Sequence, residues 1–172
     1  MAATTTWYEQ NGTAAGSPAA GTESAISSCD WKNIDDTTTP RASSPVLAGS
    51  NSYSKYIYIK FSGTFNQISA VKFAHTAGTL GTGISLKGKI TSTYTTPSTA
   101  SLGSSTDITS TTAIGSGASV LLGTSGPNDT NPAASQTTTC YTQYIVTQVQ
   151  TTASANAGDS GSVTLTVQYN EN

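Results

Sequence analysis

Charge is what this chain has least of. Only 9% of its 172 residues are Asp, Glu, Lys or Arg, and the formal net charge is -2. The seven basic residues (Lys32, Arg41, Lys55, Lys60, Lys72, Lys87 and Lys89) are spread thinly. No cluster of them can neutralise a run of phosphates, which argues against a nucleic-acid partner. There is one histidine, and the two cysteines, Cys29 and Cys140, are far apart. A zinc site needs a denser set of ligands, so no metal or cofactor is expected. No apolar run approaches the roughly 18–20 residues of a membrane-spanning helix, so no membrane partner is expected either. The N-terminal Met-Ala-Ala-Thr-Thr-Thr-Trp has neither the basic nor the apolar stretch of a secretory signal. Synthesis without export is the expectation, and with it free thiols rather than a disulfide.

What is present is hydroxyl. Serine and threonine make up about a third of the chain, and sixteen glycines and six prolines punctuate it. Disordered chains usually couple polarity with high net charge, which is absent here. Alternation of apolar and polar residues marks strands instead. In Tyr53–Phe61, Ile57, Ile59 and Phe61 point one way and Tyr56, Tyr58 and Lys60 the other. Phe65–Ala74 follows a Ser62-Gly63-Thr64 turn, with Val71 and Phe73 inward, and the two segments read as a hairpin. Ile84–Ile90 and Val163–Tyr169 alternate as well, and Tyr141–Gln150 reads as a strand with an apolar centre at Tyr144-Ile145-Val146; it and Val163–Tyr169 read as antiparallel neighbours, within one sheet or across a sandwich edge. Ser24–Ile34 reads as a strand with Cys29 and Trp31 on one face. Ser119–Leu122 reads as a short apolar strand, and the polar tract 91–119 as one or two short strands with long loops. No segment holds helical periodicity over a useful length. The expected fold is all-β, an antiparallel sandwich or jelly roll of about seven to nine short strands. Residues 1–23 read as an extended N-terminal arm and residues 24–172 as a single domain.

Several motifs resemble catalytic sites in letters only. Gly158-Asp159-Ser160-Gly161 looks like the nucleophile segment of chymotrypsin-type proteases, with His75 and Asp107 in the matching chain order. The next residue is Ser162 rather than glycine, and His75 sits in Ala-His-Thr-Ala. Gly83–Lys89 mimics a phosphate-binding loop, but Ile90 stands where the magnesium-binding hydroxyl belongs, and the segment alternates as a strand. Asp30, Asp35 and Asp36, or Asn128 and Asp129, lack EF-hand spacing and read as solvated loop carboxylates. No catalytic residue is assigned, and an enzymatic role is not expected.

Aromatic residues offer candidates for contact with a partner. Trp7 and Tyr8 precede a small-residue stretch, Gly12–Gly21, and want a surface to bury on, either in their own domain or on a neighbour. Tyr53, Tyr56 and Tyr58 form a stripe that either stacks on a partner or packs across strands.

Three phrases together resemble small structural proteins of tailed bacteriophage virions. They run from Tyr58-Ile59-Lys60-Phe61-Ser62-Gly63-Thr64-Phe65-Asn66 through Ile68–Phe73, over Tyr141–Gln150, and from Ala157-Gly158-Asp159 through Thr164–Glu171. They cover about half the chain. The resemblance implies a virion component, foremost a capsid decoration or cement protein on the outside of the head. Its implied partners are the major capsid protein and further copies of itself, as dimer or trimer. A tail or fibre component, or a receptor- or glycan-binding module, is the other reading it leaves open. Low charge fits a surface that other protein covers, because little charge must be desolvated.

Overall fold

The computed structural model describes residues 2–12, 22–103, 106–107, 113–114, 120–156 and 161–172. Among these residues there are twelve strands and one 3-10 turn, Arg41–Ser43. The strands are β1 (Thr4–Asn11), β2 (Thr22–Ala25), β3 (Lys55–Ser62), β4 (Ile68–Gly78), β5 (Ile84–Thr91) and β6 (Thr106–Asp107). They continue with β7 (Ala113–Ile114), β8 (Leu122–Gly123), β9 (Ser135–Gln136), β10 (Cys140–Thr142), β11 (Tyr144–Thr151) and β12 (Val163–Glu171). Every strand pairing is antiparallel. The large sheet has the order β2-β1-β3-β11-β5-β6, with β10 between β3 and β8. The small sheet has the order β12-β4-β7, and β9 also pairs β4.

The two sheets face each other as a sandwich. Ile57, Ile59 and Phe61 of β3, Leu86 of β5, and Ile145 and Val149 of β11 supply one side of the core. Ile68, Val71 and Phe73 of β4 supply the other, with Val163, Leu165, Val167 and Tyr169 packed against them. Edge-on aromatic contacts join the layers: Trp7 meets Phe73 at 5.6 Å and Phe61 meets Tyr169 at 4.9 Å between ring centroids. Such pairs add about 0.5–1.5 kcal/mol beyond the area they bury.

The alternation read from the sequence places these side chains correctly, but the hairpin and the extent of one strand differ. β3 and β4 do not form a hairpin. β3 is flanked by β1 on one side and by β10 and β11 on the other, so no edge is left for β4. Gly63, at φ +97, turns the chain out of one sheet, and Asn66 and Gln67 donate to the Asn172 carbonyl as it enters the other. β11 and β12 lie in different sheets, so of the two arrangements left open for them the one across the sandwich edge holds, and the connector 152–162 is long enough to change layers. Of the expected strand over Ser24–Ile34, only Ser24 and Ala25 pair, as the end of β2; the remainder is a loop whose Ile26, Cys29 and Trp31 pack against the core.

The largest correction concerns the N-terminus. Thr4–Asn11 is no free arm: it pairs with β3 from Thr4↔Ser62 to Gln10↔Tyr56 and with β2 on its other side. Trp7 and Tyr8 are therefore spent on opposite faces of their own domain. Residues 13–21, the expected linker, lie outside the described residues.

β4 carries two register shifts against β12, at Thr164/Leu165 and Gln168/Asn170. Ala70, at the second, has φ 52, a left-handed conformation that costs a residue with a Cβ roughly 1–2 kcal/mol. Two predictions follow from this geometry. Ala70→Gly should leave the fold intact and raise stability by about 0.5–1 kcal/mol in urea titration. Deleting residues 2–11 should abolish the cooperative thermal transition seen by circular dichroism, since it removes a strand from inside the large sheet; a folded truncation would contradict the β1 assignment.

Candidate functional site

The second face of the large sheet is covered by tyrosines. Tyr56, Tyr58, Tyr94, Tyr144 and Val146 are buried there, with Tyr8, Leu102 and Tyr141 packed around them. Tyr8 stacks on Tyr58 at 5.2 Å, and Tyr56 meets Tyr94 edge-on at 4.8 Å and Tyr144 at 5.6 Å. Their hydroxyls are bound. Tyr144 donates to Gln10 Oε1 at 2.5 Å, Tyr94 to the Gly12 carbonyl at 2.6 Å, and Tyr56 pairs with Thr95 Oγ1. Burial, ahead of the neighbouring Glu23, pushes the Tyr58 hydroxyl well above the usual phenol range, and burial does the same for Tyr94 and Tyr144.

Tyr56 and Tyr58 are 3% and 1% exposed, so they offer a partner nothing. This is the cross-strand packing that the sequence left as one of two readings. Tyr53, Trp7 and Tyr8 are half-buried. Tyr56 and Tyr58 thus serve the domain itself, Trp7 and Tyr8 each turn one side to Phe73 and Tyr58, and Tyr53 keeps part of its surface open.

A polar cluster lies at one end of the molecule, on the other face of β1 and β3. Glu9 and Lys55 are 2% and 1% exposed, and Glu9 Oε1 accepts from Lys55 Nζ at 2.7 Å. The same oxygen accepts from Asn11 Nδ2 at 2.7 Å. Asn11 also donates to Asp35 Oδ1, and the Gly12 amide donates to Asp35 Oδ2, each at 2.7 Å. Lys32, 1% exposed, donates to Asp36 Oδ1 at 2.7 Å and to the Thr39 carbonyl at 2.5 Å. Lys55 Nζ further donates to the Asp36 carbonyl at 3.1 Å. Asp36 in turn accepts from the amides of Thr38 and Thr39 and from the Thr39 hydroxyl.

In a chain so poor in charge, five charged residues are gathered here to tie loop 26–47 onto the sheet. A cleft of about 230 Å³ borders the cluster, lined in part by Glu9, Asp30, Lys32 and Asp36 with Ser27 and Ser28. Sequence reading took Asp35 and Asp36 for solvated loop carboxylates. Their sequence spacing carried no sign of the partners, which lie on β1 and on the loop that folds back to it. The other loop candidate, Asp129, closes a turn by accepting from the amides of Thr124, Ser125 and Asn131. Those amides lower its carboxyl to about 2.

The remaining sequence motifs fall only in part on the described residues. His75 is buried in the inner face of β4, with Nε2 against the Ala77 carbonyl at 2.7 Å. Residues 158–160 of the protease-like segment lie outside the described residues. Gly83–Lys89 falls largely within β5, as its alternation indicated. Cys29 and Cys140 are free. Burial pushes the Cys140 thiol to about 11, and burial followed by the charge of Glu9 drives that of Cys29 higher still. Among the described residues, no group of three or more His, Cys, Asp or Glu is placed to hold a metal ion, and no helix is long and apolar enough to cross a membrane.

No family model, curated protein or solved structure matches the chain.

Among the described residues, three surfaces stay open to a partner. The outer face of the small sheet presents Thr164, Gln168 and Asn170 of β12 beside Lys72 and Thr76 of β4, all exposed. Thr76 and Thr166 share a hydrogen bond across it at 2.6 Å. An open groove of about 300 Å³ is lined by Asn33, Leu47, Gly49, Ser50, Asn51 and Thr99, and Leu47 is 64% exposed. The outer edge of β12 is the third, since within its sheet that strand pairs only with β4.

The Lys32 bond, then those from Thr39, hold the Asp36 carboxyl well below the ordinary 3.8. A lowered folded value means that its stabilisation is present above 3.8 and is lost as pH falls below that. Because Asp36 keeps 30% exposure, Asp36→Asn should cost about 1–3 kcal/mol, less than the 3–5 of a fully buried pair. Urea titrations should show the wild type approaching the variant as pH falls below 3.8, and a pH-independent gap would refute the assignment.

Proposed function

We propose that this chain is a non-enzymatic structural protein of a phage virion, a decoration or cement protein that binds the outside of the head and braces capsomer contacts. The observation that carries the reading is the outer face of the small sheet. It is a β-surface of hydroxyls and amides with Lys72 as its exposed charge among the described residues. Covering such a face desolvates little charge, and its hydroxyls supply donors and acceptors to a protein surface laid on it. The three phrases that resemble virion proteins fall mainly on β3, β4, β11 and β12, the strands that build the two sheets. The tight core between those sheets supports the rigidity a brace requires.

A tail or glycan-binding role is the second reading, and the open groove beside Leu47 favours it. Asn33, Asn51, Ser50 and Thr99 there offer the amide and hydroxyl chemistry that recognises sugars, with Leu47 as an apolar platform. Tyr56 and Tyr58 lend this reading no support, because they are buried.

Mixing purified protein with undecorated heads separates the two. Saturable, stoichiometric binding to heads is expected, and Thr164→Glu, on the exposed face, should weaken it about tenfold or more. Absence of head binding together with glycan binding that Leu47→Asp abolishes would overturn the cement reading.

A further inference from the structure

The geometry points to Asn11, Glu9 and Lys55 as a self-reacting trio that forms an intramolecular isopeptide bond between Lys55 and Asn11. This does not depend on the role proposed above. Continuing the β1–β3 register past Gln10↔Tyr56 sets Asn11 directly opposite Lys55. Directly opposed residues have Cβ atoms about 4.5–5.5 Å apart. Glu9, two residues before Asn11, shares its face of the strand. One carboxylate oxygen, Glu9 Oε1, touches both the Lys55 nitrogen and the Asn11 amide nitrogen at 2.7 Å. All three residues are buried, at 2%, 8% and 1% exposure for Glu9, Asn11 and Lys55.

The chemistry follows from that shared oxygen. The incoming nucleophile and the departing group of an amide exchange are both nitrogens, and both rest on the same proton acceptor. Glu9 takes a proton from the Lys55 ammonium, and the freed amine attacks Cγ of Asn11. A Nζ–Cγ bond forms. Glu9 then relays the proton lost by Nζ to Nδ2, the Cγ–Nδ2 bond breaks, and ammonia leaves with the remaining proton as ammonium. Glu9 returns to a carboxylate, and no oxidant or cofactor is consumed. The single N–H left on Nζ can still meet the Asp36 carbonyl, now 3.1 Å from the ammonium. Asp35 holds Nδ2 and the Gly12 amide, each at 2.7 Å, which fixes the Asn11 carboxamide for attack. Positioning of this kind turns an otherwise slow aminolysis into an effectively unimolecular step.

Intact mass of the purified full chain under denaturing conditions is the first test. A chain lighter by one ammonia than its sequence is expected, with a proteolytic peptide joining the segment around Asn11 to that around Lys55. Asn11 precedes Gly12, so a succinimide would lose the same mass; it would survive Lys55→Arg and give no joined peptide, and that outcome overturns the proposal. Glu9→Gln should slow cross-linking about 100-fold or more, as loss of a proton relay does. A wild-type chain that keeps its full mass after prolonged incubation in the folded state also overturns it, without recourse to any variant.

Discussion

Strands β3 and β11 are buried on both faces, and the rest of the molecule is arranged to cover them. An ordinary antiparallel sheet keeps one wet face, so a strand needs an apolar residue only at every second position. β3 cannot follow that rule. Its odd positions, Ile57, Ile59 and Phe61, meet the small sheet, while its even positions, Tyr56 and Tyr58, lie under the loop that carries Tyr94 and Leu102. Tyrosine suits the second face because each ring brings apolar area and one hydroxyl, and that hydroxyl can serve a loop whose backbone would otherwise lack partners. Gly12 and Thr95 are held in this way. The same constraint extends to β11, where Tyr144 and Val146 join the tyrosine face and Ile145 and Val149 the inter-sheet core.

Double burial also accounts for what was legible in the sequence. Alternation reports which side chains share a face, and the faces of β3, β5 and β12 came out as read. It does not report which strand lies alongside. Ser62-Gly63-Thr64 is a turn whether the chain reverses within one sheet or crosses to the other, and the choice is made by β1 taking the free edge of β3. That strand was hidden because Thr4–Asn11 alternates little in hydropathy. Trp7 faces the core and Glu9 follows on the same face, and a glutamate reads as surface until its lysine is known.

The polar cluster shows the same limit more sharply. Glu9, Asn11, Lys32, Asp36 and Lys55 are unremarkable one by one, and their separations in sequence follow no motif. They meet because loop 26–47 covers the part of the large sheet that the small sheet does not, and that loop is too poor in apolar residues to do so by hydrophobic burial alone. Buried charge is costly unless paired, so each cation is matched by a carboxylate and a backbone carbonyl. Two of the chain's few large exposed apolar residues, Ile34 and Leu47, sit on this same loop, at 37% and 64%. The loop is thus held from inside by ions as well as by Ile26, Cys29 and Trp31, which pack on the core, and it leaves Ile34 and Leu47 outside.

That anchoring bears on how the molecule meets a partner. A loop pinned by a buried ionic network gives up little freedom when something docks on it, because the ordering cost is already met in the free protein. The groove at Leu47 and the hydroxyl face of the small sheet are accordingly both rigid surfaces, one presented by the pinned loop and one by a packed sheet. A covalent link between Lys55 and Asn11 would make the first of these permanent: it would fuse β1 to β3 beneath the loop and leave Glu9 and the Asp36 carbonyl to hold it from within. In the bracing role proposed above, a scaffold that cannot fray from its N-terminal strand matters more than one that binds tightly at a single point. The scarcity of charge belongs to the same design, since five of the chain's sixteen charged residues are gathered at one place to fasten it from inside.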